Sequence, residues 1–137
     1  MIVEYFDSDV IFNFLVVQDP DKHKEARSLV FKAIGKGTFV TSTLTIQEVG
    51  YGLARFGLSN DEIESKLSFL SSLDLAVITQ ANILRALDLA KKIGFKHIND
   101  CVHTALAESL TPAKFYTYNN SDFKRIQKHT HIEISIL

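Results

Sequence analysis

Six oxygen-bearing side chains stand where the chain changes from one kind of local structure to another: Asp7, Asp9, Glu48, Asp100, Asn119 and Asp122. All but Asn119 are carboxylates. Clustered carboxylates repel, so a site holding them alone keeps some protonated or splayed. A hard divalent cation removes the conflict. Mg²⁺ prefers oxygen ligands, retains several waters, and pairs with one or two carboxylates plus a substrate phosphate. Such a site suits phosphodiester hydrolysis, where one metal activates a water and a second stabilises the leaving oxygen. No histidine–cysteine cluster in the sequence competes for the ion.

Each of these residues also has a purely local use. Asp7 and Asp9 favour the positive end of a following helix. Thr45 and Glu48 fit a capping box. Asp100 beside Asn99, and Asp122 beside Ser121, are ordinary helix starts. The metal-binding reading rests on their joint arrangement at strand ends, and both readings stand at this point.

Cys101, with His97 and His103 nearby, invites a nucleophile reading. Residues two apart on a helix do not face each other, and no third orienting group is evident. A small buried helical residue is the better reading. His129 and His131 lack partners for zinc and read as solvated. Lys91, Lys92 and Lys96 form one basic run, and Lys124, Arg125 and Lys128 another. Both flank the Asp100 and Asn119 segments, where they could hold a phosphate backbone or simply form solvated helix faces.

The elements that must position these groups follow from periodicity. Short apolar runs predict strands at Ile2–Phe6, Thr38–Thr41, Leu75–Ile78, Phe115–Thr117 and Ile132–Ile136. Helical spacing predicts helices at Asp9–Val17, from Pro20 to Gly35 or Gly37, and from about Thr45 to Phe56. Further helices start at Asn60, Thr79, Asn99 and Ser121. Strands separated by one or two helices require crossover connections. The predicted fold is therefore α/β: a mostly parallel central sheet with helices on both faces, a three-layer α/β/α sandwich. In open parallel sheets, ligands sit at the carboxyl ends of the strands. Asp7, Asp9, Glu48, Asn119 and Asp122 all follow strands. Asp100 follows a helix, so only the fold could bring it to the same edge.

The chain has 137 residues, 46% hydrophobic and 23% charged, which suits one domain spanning residues 1–137. Its formal net charge of −1 excludes a generally basic nucleic-acid coat but not a local basic rim. One cysteine excludes an internal disulfide framework and fits a reducing compartment. Glu4 and Asp7 interrupt what would be the apolar part of a signal peptide. The most apolar stretch, Val10 to Val17, falls far short of the ~20 residues of a membrane span. The reading is a soluble cytoplasmic protein. Phe12, Phe14, Leu15, Tyr51 and Phe56 exceed what one small core obviously needs, though plain core packing also accounts for them.

Four segments carry a family resemblance: EYFDSDVIFNFL, TSTLTIQEVGYGL, HINDCVHTALAES and FYTYNNSDF, in this order along nearly the whole chain. Together they resemble PIN-domain proteins, particularly the VapC-type toxins of bacterial toxin–antitoxin modules. The resemblance implies a parallel sheet in an α/β/α sandwich and an Mg²⁺- or Mn²⁺-dependent ribonuclease. It places Asp7, Glu48 and Asp100 at the first three acidic positions, as catalytic residues and metal ligands, with Ser8 in support. Asn119, two residues after Thr117, stands where the family usually has aspartate. Asp122 is then a substitute ligand, and Asp9, where the family often has asparagine, returns a charge. The resemblance also implies an RNA substrate, a small antitoxin partner and a homodimer. The alternative is a catalytically weak PIN-fold module that binds RNA or protein without cleaving.

Overall fold

The structure, a computed structural model, describes residues 1–137. Its strands are β1 (Val3–Phe6), β2 (Phe39–Ser42), β3 (Leu75–Ala76), β4 (Ala113–Thr117) and β5 (Glu133–Ile136). The helices are α1 (Ser8–Leu15), α2 (Pro20–Lys36), α3 (Thr43–Phe56), α4 (Asn60–Ser71), α5 (Gln80–Ile93), α6 (Ile98–Ser109) and α7 (Asn120–Ile126). All strand pairs are parallel, in the order β3-β2-β1-β4-β5. The expected α/β/α sandwich is the observed fold.

Alternation along β1 divides the core in two. Tyr5 faces one side, where it stacks on Phe115 and joins Leu89, Cys101, Leu106, Phe123 and Ile126, drawn from α5, α6 and α7. Phe6 faces the other side, stacking on Tyr116 and Phe39 among Val10, Ile11, Phe14, Val30 and Leu53 from α1, α2 and α3. A period of two residues forces this division, because consecutive strand side chains point to opposite faces.

Several helix starts differ from the sequence reading. Ser42, not Thr45, caps α3: its Oγ accepts the Thr45 amide at 3.2 Å. The helix therefore begins directly after β2, and the Thr45–Glu48 capping box is absent. Ser59, not Asn60, caps α4, with Glu62 completing a capping box. No side chain caps α6, which begins one residue before Asn99 through a 3-10 turn at Phe95–His97. Adjacent Ser, Thr and Asn residues offer similar capping oxygens, and the direction in which the strand releases the chain selects among them.

The strand order sets the location of the crevice. Connections from β1 run toward β2 and β3 on one side, while β4 and β5 lie on the other. The direction reverses at β1, and the gap beyond the carboxyl ends of β1 and β4 is where such sheets open for a ligand.

Candidate metal centre

Asp7 follows β1 and Thr117 ends β4. The register pairs Tyr5 with Phe115, so Asp7 and Thr117 come side by side on the same face. Thr117 Oγ1 donates to Asp7 Oδ2 at 2.8 Å, and the Ser8 amide donates to Oδ1 at 2.8 Å. Asp7 is buried, 3% exposed. Burial pushes its carboxyl above the usual range and outweighs the stabilising His103 charge and the Thr117 hydrogen bond.

Asp9 turns back onto β4, where both its oxygens accept the Tyr118 amide at 3.1–3.2 Å. Burial and the neighbouring Asp7 push it up to about 7. Asp9 thus ties the start of α1 to the end of β4.

Glu48 lies one turn into α3 and reaches across to α6. Its Oε1 meets His103 Nε2 at 2.5 Å, and its Oε2 accepts the Asn99 amide at 3.2 Å. Burial raises its carboxyl, but His103 more than offsets this and holds it below the usual range. His103 Nε2 is also 3.6 Å from Asp7 Oδ1, so Asp7 and Glu48 flank one imidazole edge.

Asp100 sits in the first turn of α6, which brings it to the same edge despite following a helix. Burial, then the charge of Asp7 and contact with Asp122, push it up to about 8. Asn119 caps α7 with its oxygen, Oδ1 accepting from the Asp122 amide at 3.2 Å and from Ser121 Oγ. Its Nδ2 therefore faces Asp122 Oδ2 at 3.0 Å and Asp100 Oδ2 at 3.5 Å. In this arrangement Asn119 offers the cluster a donor rather than a ligand oxygen. The hydrogen bond that Asn119 Nδ2 donates holds the Asp122 carboxyl below its usual range, aided by Asp100 and His97.

The donor set suits a hard divalent cation. Asp7, Glu48, Asp100 and Asp122 supply only carboxylate oxygens; burial raises Asp7, Asp9 and Asp100, and the Asp7 charge adds to it at Asp9 and Asp100, a repulsion a cation would relieve. His97 adds one nitrogen at the rim. Ligand atoms of His97, Asp100 and Asp122 lie within 4.8 Å of one another, and His97 Nδ1 is 3.3 Å from Asp122.

A family model described as the PIN domain matches residues 5–129. The chain belongs to the PIN domain family. No curated protein matches it in sequence. Among solved structures, this PIN chain is similar to VapBC2 from Rickettsia felis bound to a promoter DNA fragment: 18% identity, TM-score 0.70, 99% of each chain covered. It is also similar to DNA-bound VapBC from Salmonella typhimurium: 17% identity, TM-score 0.66, 99% of this chain and 98% of that one. FitAcB from Neisseria gonorrhoeae covers 96% of each chain at 15% identity and TM-score 0.63. At such identities the likeness concerns the fold.

Two residues at this PIN-domain edge escape a reading of the sequence alone. His103 looks like a stray partner for Cys101, yet it is fully buried and bonded to Glu48. Its spacing from Asp100 by three residues, on one helix face, was the available signal. His97 precedes α6, and only the packing of α7 brings Asp122 against it. Cys101 is buried, and burial pushes its thiol up to about 11, unsuited to a nucleophile.

Lys91, Lys92, Lys96 and Lys124 are exposed. Lys92 lies 3.7 Å from Asp88. Arg125 is partly committed to structure, its Nη1 donating to the Ile93 carbonyl at the end of α5. No helix is long and apolar enough to cross a membrane.

Proposed function

We propose that residues 1–137 act as one PIN-fold unit, an Mg²⁺- or Mn²⁺-dependent ribonuclease resembling the toxin of a toxin–antitoxin module. What supports this reading is that Asp7 and Glu48 flank the His103 edge at the sheet's reversal point, with Asp100 near enough for the Asp7 charge to act on it. Asp7, Glu48 and Asp100 would be the catalytic carboxylates and cation ligands, with Asp122 at the rim. A bound cation would supply positive charge for the scissile phosphate and lower the pKa of a coordinated water. Asp7 would orient that water, fixed by Thr117 and Ser8. Asp9 would keep the α1 entrance closed against β4.

Incubating RNA with the purified protein tests the reading. Cleavage is expected in Mn²⁺ or Mg²⁺, lost in EDTA and restored by excess metal. Cleavage that persists undiminished in EDTA would sink it. A second reading, a PIN module that binds RNA or protein without cleaving, is favoured by Asn119, whose uncharged side chain turns its donor toward the carboxylates. Absence of Mn²⁺ binding at millimolar concentration in calorimetry would favour that second reading.

RNA contact would fall on Lys91, Lys92, Lys96, Lys124 and Arg125, which flank the Asp100 and Asn119 segments along the chain. Lys124→Ala is the clean test, because Arg125 also holds the end of α5. Its loss is expected to weaken RNA binding across sequences and to reduce the salt slope by about 1. An unchanged slope would place Lys124 outside the RNA path.

The partner reading rests on apolar surface. Tyr51 and Phe56 of α3 stay exposed, with Phe56 edge-on to Phe12, a face suited to an antitoxin segment. Ile83, Leu84 and Leu87 form an exposed apolar stripe on α5, suited to a second copy of the chain. Sedimentation of the same preparation reports the dimer; a monomer at micromolar concentration would remove it.

A further inference from the structure

His103 is the one fully buried titratable side chain at the crevice that the proposed chemistry leaves without a task. Both its nitrogens are engaged. Nδ1 meets the Tyr5 hydroxyl at 2.7 Å, and that hydroxyl donates to Ser42 Oγ at 2.8 Å. Ser42 Oγ in turn accepts the Thr45 amide at the start of α3. Nε2 meets Glu48 Oε1, and Tyr5 packs edge-on to the ring with centroids 5.8 Å apart. The imidazole is thus fixed from β1 and β2 on one edge and presents its other edge to the crevice.

Glu48 has no comparable support of its own. Its side chain is 27% exposed, and a glutamate with three rotatable bonds loses substantial freedom when held in one pose. His103 and Asn99, both from α6, bond its oxygens in the crevice, with Ser8 as a weaker third contact. The Tyr5 bond satisfies the inner nitrogen, and the outer one needs a partner of its own, which here is the Glu48 carboxylate at the crevice rather than a backbone group.

We infer that His103 is a positioning residue for the cation site. Through the Ser42–Tyr5–His103–Glu48 chain it holds the α3 carboxylate beside Asp7, a place the carboxylate would leave for solvent if released. Groups that hydrogen-bond metal-ligating carboxylates orient them, and losing one costs about 10–100-fold in metal affinity. The inference rests on the cation-site reading proposed above.

Mn²⁺ titration by calorimetry on the full chain tests it, comparing wild type with His103→Leu, His103→Gln and the core control Leu89→Val. His103→Leu is expected to weaken Mn²⁺ affinity about 10–100-fold. His103→Gln, whose amide N–H can still reach Glu48, is expected to recover most of it, and Leu89→Val to leave it unchanged. In EDTA, the melting-temperature losses of His103→Leu and Glu48→Gln should be non-additive, since each breaks the same bond. Wild-type affinity in folded His103→Leu would overturn the inference alone. Failure of the wild type to bind Mn²⁺ would overturn the cation reading with it. If His103→Leu does not fold, Tyr5→Phe, which frees Nδ1 while keeping the ring, replaces it. A several-fold loss of affinity then supports the inference, and an unchanged affinity overturns it.

Discussion

Asp7→Asn is expected to lower divalent-dependent RNA cleavage by roughly a thousandfold, while the metal-free protein melts at the same temperature or higher. Asp7 offers a full negative charge at the centre of the proposed cation site. A metal supplies several kcal/mol of transition-state stabilisation, and losing about 4 kcal/mol of it corresponds to three orders of magnitude in rate. The folding consequence has the opposite sign. Asparagine keeps an oxygen for the Ser8 amide, and its neutrality removes the Asp7 charge that adds to burial in raising Asp9 and Asp100. Loss of activity without loss of stability is the signature of a site under strain. Single-turnover cleavage in Mn²⁺, paired with melting curves in EDTA, measures both. Cleavage at the wild-type rate by both Asp7→Asn and Asp100→Asn would remove these residues from the chemistry.

Metal-free stability should fall as pH rises from about 5 to about 8.5, and a divalent cation should reverse the trend. Burial and the nearby Asp7 charge place Asp9 at about 7 and Asp100 at about 8, far above an unfolded aspartate near 3.8. Between those values the folded chain holds protons that the unfolded chain has released. The stability these groups contribute is complete below pH ~4 and lost as pH passes 7 and 8. His103 is raised above its ordinary value: burial opposes its protonation, but Tyr5, Asp7 and Glu48 outweigh it. Its contribution is likewise lost on the alkaline side. Discounted for the partial exposure of Asp100, the change is on the order of 3 kcal/mol, or roughly 10 °C in melting temperature for a chain of this size. Mn²⁺ at about a hundred times its Kd would return about 2.7 kcal/mol, most fully above pH 8 where the carboxylates are ionised. A flat pH profile in EDTA would contradict the raised carboxyls.

Much of the frame is legible in the sequence. Ile2–Phe6, Thr38–Thr41 and Phe115–Thr117 read as strands because they are short, apolar and rich in β-formers, and each falls on an observed strand to within two residues; α2 read from Asp19 to Gly35 or Gly37 and ends at Gly37, and α5 read from Thr79 to Gly94. The start of α3 was not legible. Ser42 and Thr45 are equally good caps by type, and choosing Thr45 gave Glu48 a local partner it does not have. Asn99 read as a cap for the same reason, while its amide actually serves Glu48 51 residues away.

The candidate site divides along the same line. Residue types and their positions after strands marked Asp7, Glu48 and Asp122 as candidate oxygen donors for a cation, and the resemblance added Asp100, which follows a helix. They could not show that Asn119 turns its oxygen to the Asp122 amide and the Ser121 hydroxyl of α7, because an amide's orientation depends on which neighbours compete for it. Nor could they single out His103, whose meaning comes from Tyr5, Glu48 and Asp7 on other elements.

By itself the sequence determined the kinds of element, their alternation, and the carboxylates that end the strands, because local periodicity and turn chemistry act over a few residues. Only the tertiary structure decided that β1 lies between β2 and β4 and that α6 delivers Asp100 and His103 to the same edge. The bonds that close the site run from Asp7 to Thr117 across 110 residues and from Glu48 to His103 across 55. Contacts of that span depend on burying both faces of one sheet at once, a condition no short stretch of chain contains.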